Sequence, residues 1–224
     1  MSTEPTPISP ELSRYIQAHT GGRDEVLRRV ERETAKLGDD AMMQTAPEQS
    51  AFLEMLVRLS GAKRAVEVGT FTGYAAIRIA RGLDGGGSLL CCELDPERAA
   101  MARHNLDAAG VGDRVEMAVG PAIETLRAQP TEPTIDFTYL DADKTGYPDD
   151  YHEIVNRLNP GGLLAIDDVL MGGEALNPER EGPAAIERLN EQILEDERVG
   201  SVMQGMADGL TLVQRRSGRF ATEI

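Results

Sequence analysis

Arg64-Ala65-Val66-Glu67-Val68-Gly69-Thr70-Phe71-Thr72-Gly73 is the stretch on which the fold turns. A short apolar run of strand type ends in two glycines four residues apart, and a helical pattern follows at once. The same handover repeats down the chain. Strands are expected over 64–68, 88–94, 115–119, 135–140 and 163–166, with helices over 73–83, 96–109, 121–128 and 148–158. Short links between alternating strands and helices predict an α/β fold, a doubly wound and mostly parallel sheet. Pro160-Gly161-Gly162 reads as a turn that launches the fifth strand. After a helix near 182–196, Asp208-Gly209 separates runs 199–207 and 210–214, a hairpin signal that ends the sheet with an antiparallel strand.

Upstream, apolar residues at helical spacing predict helices over 24–37 and 47–59, joined by Met42-Met43-Gln44-Thr45-Ala46. Residues 1–10, with three prolines, read as a short frayed arm and not a secretion signal. A helical annex (1–62) and a ligand-binding region (63–224) are expected to form one domain. The chain has 224 residues, enough for a sizeable core without disulfides. Its two cysteines, Cys91 and Cys92, are adjacent; on a strand they point to opposite faces and cannot readily bridge. With no apolar run of spanning length, a cytoplasmic protein is expected. The formal charge of −15, from 23 basic and 38 acidic residues, disfavours a nucleic-acid partner, which would call for a basic face.

In a doubly wound sheet, ligands sit beyond the carboxyl ends of the strands. The spacing Gly69-x-x-x-Gly73 is not the dinucleotide Gly-x-Gly-x-x-Gly pattern, which argues against a nicotinamide-dependent oxidoreductase. Glu93, at the end of the second strand, is placed to accept hydrogen bonds from a ribose. Asp95 is the rival, but it precedes Pro96 at a helix start and reads as an N-cap. Gly120-Pro121-Ala122 suits either the edge of an adenine slot or a plain turn. Asp141 and Asp143 end the fourth strand, and Asp167 and Asp168 end the fifth. If those strands are neighbours, their tips lie about 5 Å apart. Four carboxylates there are costly unless a cation or shared protons intervene, and a hard divalent ion is one resolution. Capping of helices or exposure to solvent is the other. His19, His104 and His152 have no metal-ligand spacing.

Residues 67–75, Gly120-Pro121-Ala122, Asp141-Ala142-Asp143-Lys144 and Asp167-Asp168-Val169-Leu170 together resemble the cation-dependent O-methyltransferase family, which includes the catechol and caffeoyl-coenzyme A O-methyltransferases. The resemblance covers about 42–173. It implies a seven-stranded Rossmann-like sheet, S-adenosylmethionine as methyl donor, Mg²⁺ (or Mn²⁺ or Ca²⁺), a small acceptor with vicinal hydroxyls, and a homodimer. It assigns Glu67, Gly69, Thr70 and Gly73 to the methionine part of the donor, with Ala75 where the family often has Ser. Glu93 falls to the ribose, Ala122 to the adenine, Asp143 to the region of the donor's amino group, and Met43 and Thr45 to closure from the annex. It picks Asp141, Asp167 and Asp168 as metal ligands and Lys144 as base, with Asp141 also at the catalytic centre. A base role requires a depressed lysine pKa; the competing reading is a surface lysine paired with Asp141 or Asp143.

This chain departs from the family in having Asp168 for the usual Asn and Met171 for the usual aromatic. The acceptor wall is therefore altered; Tyr151 and Met171 are expected to line it. Methylation of a hydroxylated tRNA base by the same chemistry is an alternative against which the acidic charge argues. A non-catalytic binding module is disfavoured by the intact Glu67, Glu93, Asp141 and Lys144.

Overall fold

A computed structural model describes residues 6–217 of the chain. Seven strands form its centre: β1 (Arg64–Val68), β2 (Ser88–Glu93), β3 (Val115–Val119), β4 (Ile135–Leu140), β5 (Leu158–Asp167), β6 (Val199–Gln204) and β7 (Leu210–Arg215). They lie side by side in the order β3-β2-β1-β4-β5-β7-β6. All neighbouring pairs are parallel until β7, which runs antiparallel to both β5 and β6. The direction of winding reverses between β1 and β4, so a crevice opens above their carboxyl ends.

Eight helices cover the sheet: α1 (Pro10–Ala18), α2 (Glu25–Thr34), α3 (Pro47–Ser60), α4 (Tyr74–Gly82), α5 (Pro96–Ala108), α6 (Ala122–Ala128), α7 (Tyr147–Arg157) and α8 (Glu181–Glu195). Strand alternation sends Ala65, Cys91, Phe137, Tyr139 and Ala165 to one face, where they meet Leu27, Leu53, Val57 and Ile77. Val66, Val68, Cys92, Leu140 and Ile166 go to the other, against Tyr151, Ile154, Ile186 and Leu189. Each large apolar side chain so buried contributes roughly 1.5–3 kcal/mol. The adjacent cysteines do diverge, and both are free.

Helix starts follow the local sequence. Asp95 Oδ1 accepts from the amides of Glu97 (2.7 Å) and Arg98 (3.3 Å), the expected cap of α5. Ser9 caps α1 through the amide of Leu12 at 3.2 Å, so the second half of the expected frayed arm ends in a helix start; residues 1–5 lie outside the described residues. Ser9-Pro10-Glu11, a cap followed by proline at the first helical position, carried that signal. The helix expected over 24–37 stops at Thr34, and a 3₁₀ run (Ala35–Met43) continues, broken at Gly38 with φ 67°. β5 begins five residues earlier than expected. Leu158 pairs with Ile135 and Leu163 with Phe137, so Pro160-Gly161-Gly162 is a bulge inside the strand.

Strand closure at the switch point is tight. A Cβ on Gly69, whose φ is 90°, would lie 1.9 Å from the carbonyl oxygen of Asp141. The backbone here admits glycine alone, because β1 and β4 deliver their loops to the same point. Gly69→Ala is therefore expected to destabilise the fold by roughly 3 kcal/mol through strain and collision. Asp95→Ala should cost only about 1 kcal/mol, the loss of a cap. Urea denaturation of the two variants checks that ranking.

Candidate active site

The loop after β1 is held by Glu93 at the tip of β2. Its Oε2 accepts from the amide of Phe71 at 2.6 Å, and its Oε1 from the amide of Asp95 at 2.9 Å. Phe71 itself sits at φ 50°, a left-handed conformation unusual for a bulky residue. Glu67 ends up beneath this loop, fully buried, because β1 alternation turns it toward the helices of the annex face. Cys91 Sγ donates to Glu67 Oε2 at 3.5 Å, while Glu67 Oε1 and the Thr70 hydroxyl are buried without a protein partner. Burial pushes the Glu67 carboxyl up to about 8, with the charges of Asp141 and Glu93 adding to it. Buried polar atoms left open beside a glycine turn fit a ligand that brings its own N–H and O–H groups.

At the neighbouring tips of β4 and β5 the chemistry changes. Tyr139, on β4, points its phenol at Asp167 Oδ2 (2.5 Å) and Asp141 Oδ2 (3.3 Å). Lys144 Nζ lies 3.0 Å from Asp141 Oδ1 and 2.9 Å from Asp168 Oδ2. It also donates to the hydroxyl of Tyr147 at 2.7 Å. The amide of Asp168 donates to Asp167 Oδ1 at 2.8 Å, and Asp168 holds φ 56°. Three carboxylates thus surround two proton donors. Burial first, then mutual repulsion, raises Asp167; burial likewise raises Asp141 against the pull of Lys144.

Lys144 is the single cation among them. Burial on its own pulls its ammonium down, yet Tyr147, Asp141 and Asp168 outweigh that and hold it above the ordinary lysine range. A base role requires the reverse shift, so the arrangement as folded makes Lys144 a protonated counter-ion. Among the described residues no three acids, cysteines or histidines converge into a ready-made metal cluster. The donor chemistry nonetheless fits a hard divalent ion: oxygens of Asp141, Asp167 and Asp168 face a shared space now spanned by an ammonium and a phenol.

The structure brings Glu67, Gly69, Thr70, Gly73 and Glu93 around one loop, and Asp141, Lys144, Asp167 and Asp168 around one crevice. Thr45 reaches the second group through the Tyr139 hydroxyl at 3.3 Å. Ala75 lies in the first turn of α4 and Ala122 opens α6. Met43 is about half exposed on the 3₁₀ run. Asp143 is exposed, and its carboxylate accepts from the Thr145 hydroxyl.

Met171 stands at φ 52° in a 3₁₀ segment (Met171–Leu176), where its methyl comes within 3.7 Å of a Cβ built on Gly182. Tyr151, expected on the acceptor wall, is fully buried, and its hydroxyl donates to Asp196 at 2.9 Å. Helical spacing turns Tyr151 inward on α7, and Tyr147, one turn earlier, is the tyrosine that reaches Lys144. Sequence reasoning passed over Tyr139 and Gln49 altogether. Position 139, two before Asp141 on one strand face, was the available signal.

This architecture, with polar loops gathered at the switch point of a mostly parallel seven-stranded sheet, is that of the Rossmann-like methyltransferases. The chain belongs to the O-methyltransferase family, whose sequence pattern matches residues 17–216. Within it, the chain is an S-adenosylmethionine-dependent O-methyltransferase, similar to proteins named for caffeoyl-CoA and for catechol. It is 35% identical over 206 residues to the mouse catechol O-methyltransferase domain-containing protein 1, covering 90% of this chain and 76% of that one. It is 33% identical to the catechol O-methyltransferase of Niastella koreensis over 79% and 80% of the two chains. The crystal structure of the Bacillus cereus O-methyltransferase in complex with SAH is similar at a TM-score of 0.85 and 29% identity, over 92% of this chain and 97% of its own.

Glu67 makes stability depend on pH in the absence of donor. Its folded value of about 8 lies above the unfolded 4.5, so its stabilising contribution is complete below 4.5 and is lost as pH rises toward 8. Urea denaturation of wild type and Glu67→Gln at pH 5 and pH 8 should show the glutamine variant gaining relative to wild type at the higher pH. A constant difference between the two would place no titration at this residue.

Proposed function

We propose that the protein transfers a methyl group from S-adenosylmethionine to one of two vicinal hydroxyls of a small catechol-like molecule, with a divalent cation held by Asp141, Asp167 and Asp168. The observation that carries this reading is that two donors link the three carboxylates: Lys144 Nζ lies between Asp141 and Asp168, and the Tyr139 hydroxyl lies between Asp141 and Asp167. The Asp at position 168, where the family usually has Asn, adds negative charge and favours cation binding. Met171 and the segment that follows it border the acceptor. A homodimer in the cytosol and a single domain comprising annex (1–62) and core (63–224) belong to the same reading, supported by the family resemblance.

In this reading the donor end works by position. Glu67 and Thr70 offer open oxygens to the amino-acid part of the donor, Gly69 and Gly73 let the backbone approach it, and Glu93 faces the ribose. Ala75 and Ala122 leave room at its edges, and Asp143 stands near its amino group. Met43 and Thr45, on the annex side, close over it.

The sulfonium of S-adenosylmethionine supplies an electrophilic methyl, and a bound Mg²⁺, Mn²⁺ or Ca²⁺ supplies charge that acidifies and orients the two hydroxyls. Lys144 takes the acceptor proton at Nζ when the negative charge of Asp141 and Asp168 is otherwise engaged: two of the three groups that hold its pKa up are then removed, and burial pulls it down against Tyr147 alone. Tyr147 holds that Nζ in place at 2.7 Å. In-line alignment of hydroxyl oxygen and methyl carbon contributes the rest of the rate.

Labelled S-adenosylmethionine with a panel of catechols is expected to give methylated product, abolished by EDTA and restored by Mg²⁺. Asp141→Ala should remove activity while SAH binding, followed by calorimetry, persists. Lys144→Ala should slow transfer about 10²-fold or more. Transfer that ignores EDTA would overturn the metal reading, and a near-normal Lys144→Ala rate would overturn the base.

A further inference from the structure

Tyr139 is fully buried in the middle of the site, and its hydroxyl has a complete set of partners. Gln49 Nε2, from α3, donates to it at 3.3 Å. The Thr45 hydroxyl lies 3.3 Å away on the same annex side. On the opposite side stand Asp167 Oδ2 at 2.5 Å and Asp141 Oδ2 at 3.3 Å. A phenol has one proton to give and two lone pairs to accept with. Gln49 and Thr45 fill the accepting side, which leaves the proton for the carboxylates, and the shorter contact assigns it to Asp167.

The other oxygen of Asp167 is already held by the amide of Asp168 at 2.8 Å. Its carboxylate plane is therefore pinned at both ends, by its neighbour's backbone and by the phenol. Each oxygen keeps a further lone pair for a ligand. Packing alone does not require this hydroxyl: the ring lies in the apolar cluster with Leu27, Leu53 and Ile77, where phenylalanine has the same shape.

We propose that Tyr139 is a positioning residue for the carboxylate site: anchored by Gln49 and Thr45 of the annex, its hydroxyl fixes Asp167 in the orientation in which that residue binds a divalent cation. The inference rests on the metal reading of the same site. Partners that orient a metal ligand typically contribute 10- to 100-fold in affinity when removed one at a time. The ring stays in Tyr139→Phe, so the core keeps its volume while Asp167 loses its donor and Gln49 and Thr45 lose their acceptor.

The test uses the full chain and Mn²⁺ itself as the probe, with free Mn²⁺ read by electron paramagnetic resonance and SAH affinity read by calorimetry. Tyr139→Phe is expected to bind Mn²⁺ about 10- to 100-fold more weakly than wild type, with SAH binding changed far less. Equal Mn²⁺ affinity in wild type and Tyr139→Phe overturns the inference and leaves the metal reading standing. Failure of the wild type itself to bind Mn²⁺ overturns the metal reading, and this inference with it. Should Tyr139→Phe not fold, Gln49→Leu removes one anchor of the phenol: a several-fold weaker Mn²⁺ affinity supports the proposal, and an unchanged one overturns it.

Discussion

Repulsion among Asp141, Asp167 and Asp168 is the constraint around which the rest of the site is arranged. Neighbouring parallel strands β4 and β5 end at the same level, so Asp141 and Asp167 meet where little water reaches, with the more exposed Asp168 beside them. Separated charges in such a place are expensive, and the fold answers with the ammonium of Lys144 on one side and the phenol of Tyr139 on the other. Each of those two groups has supports of its own: Tyr147 holds the lysine, while Gln49 and Thr45 hold the phenol. Two positive or proton-bearing groups against three acids leave an excess of negative charge, which is the physical basis for expecting a cation.

The donor end depends on shape before charge. Gly69 exists because the tips of β1 and β4 come so close that no side chain fits, and that closeness is what places Glu67 and Asp141 in one electrostatic neighbourhood. Phe71 and Asp168 both hold left-handed backbone conformations, each costing of order 1–3 kcal/mol. One lies in the loop after β1 and the other at the tip of β5, on either side of the crevice. Local strain is thus concentrated where ligands are expected and is offset by the two-sided core, whose large side chains are almost all fully buried.

The mouse and Niastella relatives share the framework, yet the wall beyond β5 differs from the family habit, with Met171, Gly172 and Gly173 in place of an aromatic. Both glycines adopt positive φ, and the amide of Gly172 is held by the carboxylate of Asp208 from the β6–β7 turn. The segment after β5 is thus a short glycine-hinged stretch braced against the hairpin.

The fold was legible in the sequence because its signals are local: apolar strands of five or six residues, glycine turns after them, and caps such as Asp95 that need only their own helix. The acids of the site were legible for the same reason, since each sits at the end of a recognisable strand. Three things were not. The length of α2 was overestimated because apolar spacing continues to Leu37, whereas the α-helix gives way to a 3₁₀ run at Ala35. Tyr147 and Tyr151 share one face of α7 and are both buried, so spacing does not tell which of them meets Lys144; the fold brings Tyr147 to the lysine and Tyr151 to Asp196. The pairing of Tyr139 with Gln49 and Asp167 joins residues 90 and 28 positions apart. Only the packing of α3 against the sheet creates it, and so only the tertiary structure decides whether Lys144 and Asp167 are charged.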